Sequence, residues 1–245
     1  MAASTRHAPV VEARCLTKII EEEVRTTLVH DIDLVIERGE FMAITGPSGS
    51  GKSSLLYLLG LLDLPTSGEV LLDGRATSAL DEAERARLRL ESIGFVFQFH
   101  FLLPEFSALE NVKLPMRALG RRSPAEQDER ARELLGLLGL ADHSHKRPGQ
   151  LSGGQRQRVA IARSLANDPL VVLADEPTGN LDTHASEQVI AMFRKLVDEM
   201  NRTIVIVTHD MALADRADRH VRLVDGQIES DGEGEHATTP QSIPS

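Results

Sequence analysis

Tryptophan is absent from this chain of 245 residues, tyrosine occurs once, and aromatic residues make up only 3% of it. The single cysteine, Cys15, excludes an intrachain disulfide and fits a reducing compartment. Positive charge is also scarce, with 27 Lys and Arg against 37 Asp and Glu and a formal net charge of −10. That balance argues against nonspecific nucleic-acid binding and against adsorption to anionic lipid. The longest apolar run, LLYLLGLL at 55–62, falls far short of the roughly 20 residues that span a bilayer. The first residues, MAASTRHAPVVEARC, lack the apolar centre of a signal peptide. We find no internal repeat, no coiled-coil heptad and no Pro/Gly/Ser linker. These absences predict one soluble, cytoplasmic domain, with 41% hydrophobic residues to build its core. Residues 1–9 read as an N-terminal tail and 231–245 as a disordered one.

Against that scarcity, five of the seven Phe residues crowd into FVFQFHFLLPEF at 95–106. Ile93, Phe95 and Phe97 alternate with Gly94 and Val96, as in a half-buried strand. The residues after Gln98 lie where a strand face should end.

Three other apolar runs share one grammar. FMAIT (41–45) leads into GPSGSGKSS, LVVLA (170–174) into DEPTGNLD, and TIVIV (203–207) into THD. Near-continuous Val, Ile and Leu suit parallel strands buried on both faces. Helical patterns follow at 51–61, 183–200 and 210–216. Strands alternating with helices predict an open, mostly parallel α/β sheet. Ligands of such sheets bind beyond the carboxyl ends of the strands, where all three polar signals would meet.

Gly46-Pro47-Ser48-Gly49-Ser50-Gly51-Lys52-Ser53, followed by Ser54, fits G-x-x-x-x-G-K-[ST] fully. The glycines let backbone N–H groups wrap phosphates, and the helix starting near Gly51 aims its positive end at them. Lys52 is expected to reach the β- and γ-phosphates and Ser53 to ligate Mg²⁺. Asp175 and Glu176 suit a second Mg²⁺ ligand and a general base for the attacking water. Alone, that pair equally fits a helix N-cap and a first-turn acid; the phosphate loop decides for the site. His209, on the same rim, is a candidate γ-phosphate contact. Ser152, Gly153 and Gly154 open a further helix and suit close approach of an anion, or simply a well-capped helix. Arg156 and Arg158 read as a solvated or interface face, and His143 and His145 as surface residues.

In chain order, the loop at 46–53, Gln98, LSGGQ at 151–155, LVVLADE at 170–176 and His209 resemble the ATP-binding-cassette (ABC) ATPases. The resemblance covers roughly residues 10–230. It implies a P-loop NTPase with a RecA-like mostly parallel core, an antiparallel β subdomain and a helical subdomain at about 98–165. It implies ATP and Mg²⁺ as cofactors and a head-to-tail homodimer. Two ATP molecules would lie between the phosphate loop of one subunit and LSGGQ of the other, so that Ser152, Gly153 and Gly154 act in trans. Gly179-Asn180-Leu181-Asp182 matches the D-loop, which puts Asp182 on the nucleotide side. Gln98 matches the glutamine that reaches Mg²⁺ and water and senses the γ-phosphate. Integral membrane permease subunits would dock near Phe99, Phe101, Leu102 and Leu103, unless these residues pack inside the helical subdomain. Membrane association would then be indirect, peripheral and on the cytoplasmic side of the inner membrane.

Within the family, FQFHFLLPEFSALENV with EPTGNLD resembles the ATPases of lipoprotein-releasing (LolD-type) transporters. MacB-type efflux ATPases and FtsE-type division regulators are the sister readings. A soluble ABC ATPase fits less well, because the chain has one cassette and no heptads. One departure stands out. Ile20 occupies the place where the family carries an adenine-stacking aromatic, which predicts weaker and less base-selective nucleotide binding.

Overall fold

The computed structural model describes residues 9–21 and 25–234. Its centre is a six-stranded sheet. The strands are β3 (Phe41–Thr45), β6 (Ile93–Phe97), β7 (Val171–Asp175), β8 (Thr203–Val207), β9 (Arg219–Val224) and β10 (Gln227–Glu233), in the order β10-β9-β3-β8-β7-β6. All neighbours are parallel except the β9–β10 hairpin. A second, antiparallel sheet has the order β2-β1-β4-β5, from β1 (Pro9–Glu21), β2 (Arg25–Glu37), β4 (Ser67–Leu72) and β5 (Arg75–Ala76).

The continuous apolar strands have two faces to fill. Phe41 and Ala43 of β3 join Val172, Ala174, Ile204 and Ile206 in a core under the helices. Met42 and Ile44 join Leu173, Val205 and Val207 in a second core facing the antiparallel sheet. Successive side chains of a strand point to opposite faces, so a strand covered on both sides is apolar throughout.

Seven α-helices are described: α1 (Lys52–Leu59), α2 (Glu82–Ser92), α3 (Ala108–Leu119), α4 (Pro124–Leu137), α5 (Gly153–Ser164), α6 (Thr183–Met200) and α7 (Met211–Ala214). Asp81, Ser107, Ser123 and Ser152 each open a helix with a reciprocal capping box. Helices α3, α4 and α5 pack together as a helical lobe. One carboxylate ties that lobe to the sheet: Asp168, after α5, accepts from Arg122, Arg130 and Arg202 at 2.8, 2.6 and 3.1 Å.

Several expected boundaries shift. The second strand runs 171–175, so Asp175 is its last residue rather than the first beyond it. The helices expected at 51–61 and 210–216 are shorter. The segment expected to be a disordered tail begins as strand. Asp231, Gly232 and Glu233 pair with Val221, His220 and Arg219, and Arg219 grips the Asp231 carboxylate at 2.6 and 2.5 Å. Backbone pairing at a sheet edge needs no apolar pattern, so SDGE gave no sign of it. Pro9 likewise starts β1, a position where its missing N–H is tolerated. Residues 1–8 and 235–245 of the two expected tails lie outside the described residues.

Candidate functional site

The parallel strands β3, β6, β7 and β8 end on one rim, and the chain leaves each with a polar segment. After β3, Gly46, Gly49 and Gly51 take φ values of 148°, 79° and 95°. At Gly46 a Cβ would lie 2.0 Å from the Leu223 carbonyl oxygen, and at Gly51 2.1 Å from that of Leu28. Only glycine fits this close approach. The buried Lys52 Nζ donates to the Gly46 and Pro47 carbonyls at 2.9 and 2.7 Å. Pro47, Ser48 and Ser54 complete the loop and the first turn of α1. The Ser50 hydroxyl is buried without a hydrogen-bond partner, an orphaned polar atom inside the loop.

At the end of β7 the buried Asp175 accepts from Ser53 Oγ through Oδ1 and from the Tyr57 hydroxyl through Oδ2, both at 3.0 Å. Burial, with Asp175 alongside, pushes the Tyr57 hydroxyl up to about 12. Among the described residues no Lys, Arg or His forms an ion pair with Asp175. A buried carboxylate held only by hydroxyls gains from a cation. Two hard oxygen groups side by side suit Mg²⁺, which keeps phosphate and water as its remaining ligands. The residues present therefore fit the ion that the sequence implied.

Glu176 is turned away from the strand. Its φ of 46° is left-handed, a strain of about 1–3 kcal/mol in a non-glycine residue. Its N–H donates to Val207 O at 2.9 Å, and its own carbonyl accepts from Gly179 N at 3.1 Å. These bonds fix the twist and carry the carboxylate to His209 Nδ1 at 2.9 Å and Thr208 Oγ1 at 3.4 Å. Strained backbone of this kind clusters at functional sites.

Gln98 follows β6, whose Phe97 pairs with Asp175. Its Nε2 donates to Asn180 Oδ1 at 3.3 Å, and Asn180 Nδ2 returns a bond to the Gln98 carbonyl at 3.2 Å. Of the three expected metal ligands, Ser53 and Asp175 are thus joined, while the Gln98 amide is held on Asn180. Ser152, Gly153 and Gly154 sit elsewhere on the same chain. A Cβ on Gly153 would lie 3.4 Å from Leu181, and one on Gly154 3.0 Å from Ala185. Asp182 caps α6 by accepting from Ala185 N at 2.8 Å. Arg156 and Arg158 are half-buried and donate to the Leu151, Leu138 and Gly154 carbonyls, which argues against the solvated reading and leaves the interface one standing.

The phenylalanines form a ladder. Phe95 stacks on Phe97 at 5.7 Å, Phe97 meets Phe101 edge-on at 5.6 Å, and Phe101 meets Phe99 at 6.4 Å. Phe95 and Phe97 also line a groove of about 400 Å³ between α2, β6 and α5. Phe99 and Phe101 are 63% and 64% exposed, and Leu103 is exposed too. Leu102 departs from its expected place in the docking surface: it is half-buried against the core of the helical lobe. Successive side chains of an irregular segment diverge, so one leucine turns inward while its neighbours face out.

The backbone under this ladder is tightly held. Arg163 of α5 donates to the His100 and Phe101 carbonyls at 2.8 and 2.7 Å. Burial lowers the pKa of its guanidinium, and among the described residues no carboxylate pairs with it. The fully buried Asn111 accepts from Leu103 N at 2.8 Å and donates to the Leu103, Phe106 and Ser107 carbonyls. Burial, with Arg156 adding to it, pulls the His100 imidazole down, and a hydrogen bond with the Gly153 backbone opposes both. The buried His100 Nε2 has no hydrogen-bond partner among the described residues.

Sequence reading missed Tyr57, Asn111 and Arg163, and it placed Asn180 in the D-loop without its contact to Gln98. A signal existed for Tyr57. Residues four apart share a helix face, so Tyr57 should meet whatever Ser53 meets. Nothing local marked Asn111 or Arg163, whose partners are backbone carbonyls.

Known proteins are similar to this chain over most of its length. The family model described as ABC transporter matches residues 29–179. A lipoprotein-releasing system ATP-binding protein, LolD, of Chlorobium chlorochromatii is 56% identical over 86% of this chain and 86% of its own length. One from Anaeromyxobacter dehalogenans is 54% identical over 91% of this chain and 94% of its own. An uncharacterized ABC transporter ATP-binding protein of Thermotoga maritima is 52% identical over 84% of this chain and 88% of its own. Among solved structures, a dimeric post-hydrolysis state of an ATP-binding cassette bound to ADP and Pi is similar. It is 43% identical, with a TM-score of 0.84, and the match covers 91% of this chain and 98% of that one. The chain therefore belongs to the ABC transporter family, as an ATP-binding subunit that couples ATP hydrolysis to transport.

Proposed function

We propose that this chain powers lipoprotein release from the inner membrane, as the ATPase of a LolD-type transporter. The observation that carries this reading is the preformed FQFHFLL platform, with Phe99 and Phe101 exposed on a clamped backbone. Large exposed apolar groups mark interaction sites. In this reading Phe99, Phe101 and Leu103 receive a membrane subunit, while Leu102 supports them from behind. The chain lies peripherally on the cytoplasmic side of the membrane. The names of the Chlorobium and Anaeromyxobacter relatives support the cargo class.

In the proposed chemistry, residues 46–54 bind the ATP phosphates through backbone N–H groups, with Lys52 supplying a positive charge. Ser53 and Asp175 hold Mg²⁺, which neutralises charge on the phosphates when bound. Glu176 takes the proton of the attacking water, and His209 keeps that carboxylate oriented and lies ready to contact the γ-phosphate. Gln98 reports on the γ-phosphate and water from the end of β6, with its Asn180 contact linking it to the D-loop. Ser152, Gly153, Gly154 and Asp182 act on the nucleotide across a head-to-tail homodimer. The dimeric cassette among the solved structures supports that assembly.

The test uses affinity-tagged Glu176→Gln protein, expressed in its host and extracted from membranes with ATP present. Recovery of a membrane subunit with a large extracytoplasmic domain and bound lipoprotein is the expected result. Recovery of division proteins would move the assignment to an FtsE-type regulator. Protein found only in the soluble fraction would defeat the docking reading.

A further inference from the structure

Asp175 has a partner that neither the phosphate-loop pattern nor the catalytic acid pair accounts for. Its carboxylate is buried, and two hydroxyls grip it from one face of α1, Ser53 on Oδ1 and Tyr57 on Oδ2. The Tyr57 ring is half-buried and packs against the core between the two sheets, so its hydroxyl has a fixed origin. A carboxylate at a strand end otherwise rotates about its last torsion, a broad and weakly preferred one. Partners that orient a ligand in this way tune a metal site as much as the ligands themselves do.

We propose that Tyr57 is a positioning residue for Mg²⁺: its hydroxyl holds Asp175 Oδ2 so that Oδ1 stays beside Ser53. This rests on the reading that Asp175 and Ser53 hold the metal. Tyr57 touches neither metal nor nucleotide in this role and acts through Asp175. Loss of its hydroxyl should weaken metal binding and leave the phosphate loop's own grip on nucleotide intact.

The experiment measures how strongly metal and nucleotide support each other in the full chain. Affinity for a fluorescent, non-hydrolysable ATP analogue is measured with Mg²⁺ and again with EDTA, and the ratio is the metal's contribution. Tyr57→Phe keeps the ring and removes only the hydroxyl. The ratio should fall about 10- to 100-fold, with affinity in EDTA unchanged. Asp175→Asn separates two failures. If it retains the wild-type ratio, the metal reading falls and Tyr57's role falls with it. If it collapses the ratio while Tyr57→Phe does not, the role of Tyr57 alone is overturned. Should Tyr57→Phe fail to fold, the wild-type chain still decides. It has one tyrosine and no tryptophan, so its intrinsic emission comes from this phenol. Adding Mg²⁺ to chain saturated with a non-fluorescent analogue should change that emission, and an emission indifferent to Mg²⁺ would contradict the proposal.

Discussion

The nucleotide rim and the FQFHFLL segment solve opposite problems. On the rim, polar side chains face one another in pairs: Ser53 and Tyr57 on Asp175, His209 on Glu176, Asn180 on Gln98. Asp175, Glu176, Gln98 and His209 lie at or just beyond strand ends, and Ser53 and Tyr57 lie on α1, so each of these side chains starts from a held backbone. In the segment the order is reversed. Polar side chains are hidden beneath, where Arg163 and Asn111 hold main-chain carbonyls, and the apolar rings face outward. A reaction needs charge placed within a fraction of an ångström, and paired side chains on a held backbone supply it. A docking surface needs exposed apolar area on a backbone that does not collapse around it. Gln98 links the two regions, since it opens the segment and its amide reaches Asn180 on the rim.

The largest expected effect breaks the rim alone. Glu176→Gln should lower ATP hydrolysis about 100- to 10,000-fold, the range of a general base, while ATP binding persists and the dimer stays closed. Turnover assays with size-exclusion chromatography in ATP check both halves. The next variant breaks the support under the segment. Arg163→Met leaves the His100 and Phe101 carbonyls without their donor, at a cost of about 1–3 kcal/mol. Nucleotide binding by the isolated chain should survive, whereas stimulation of its ATPase by the membrane subunit should drop. Denaturant unfolding and a comparison of isolated and complexed turnover read the two effects. The smallest effect sharpens the rim. Ile20→Tyr should strengthen ATP binding by about 1 kcal/mol, at the low end for base stacking, and raise preference for ATP over GTP. Equal affinities in a nucleotide titration would remove Ile20 from the account.

These two regions were also unequally legible in the sequence. The rim could be read because its chemistry is local: GPSGSGKSS, ADE and THD each follow an apolar strand, and the sheet brings strand ends together without further information. What failed there was the reach of individual side chains. The Gln98 amide lies on Asn180, 82 positions away, and the sole tyrosine reaches Asp175 across 118. In the segment, composition alone singled out the phenylalanines, but not which residues face out. Leu102 and Leu103 are adjacent and identical, yet Leu102 packs on the core while Leu103, whose backbone Asn111 holds, is exposed. The polar SDGE that reads as tail is strand because β9 offers an unpaired edge. Partners far apart in sequence decided Gln98 and Tyr57, and nearer ones held Leu103 and SDGE; local propensity revealed none of them.

In the proposed function the rim carries the chemistry and the exposed rings carry the coupling. The most direct test replaces both Phe99 and Phe101 with aspartate and compares the isolated chain with the chain plus its membrane subunit. The variant should keep wild-type melting and wild-type nucleotide binding in isolation, and lose co-purification and stimulated ATPase activity. A variant that unfolds, or that still co-purifies and is stimulated like wild type, would contradict it.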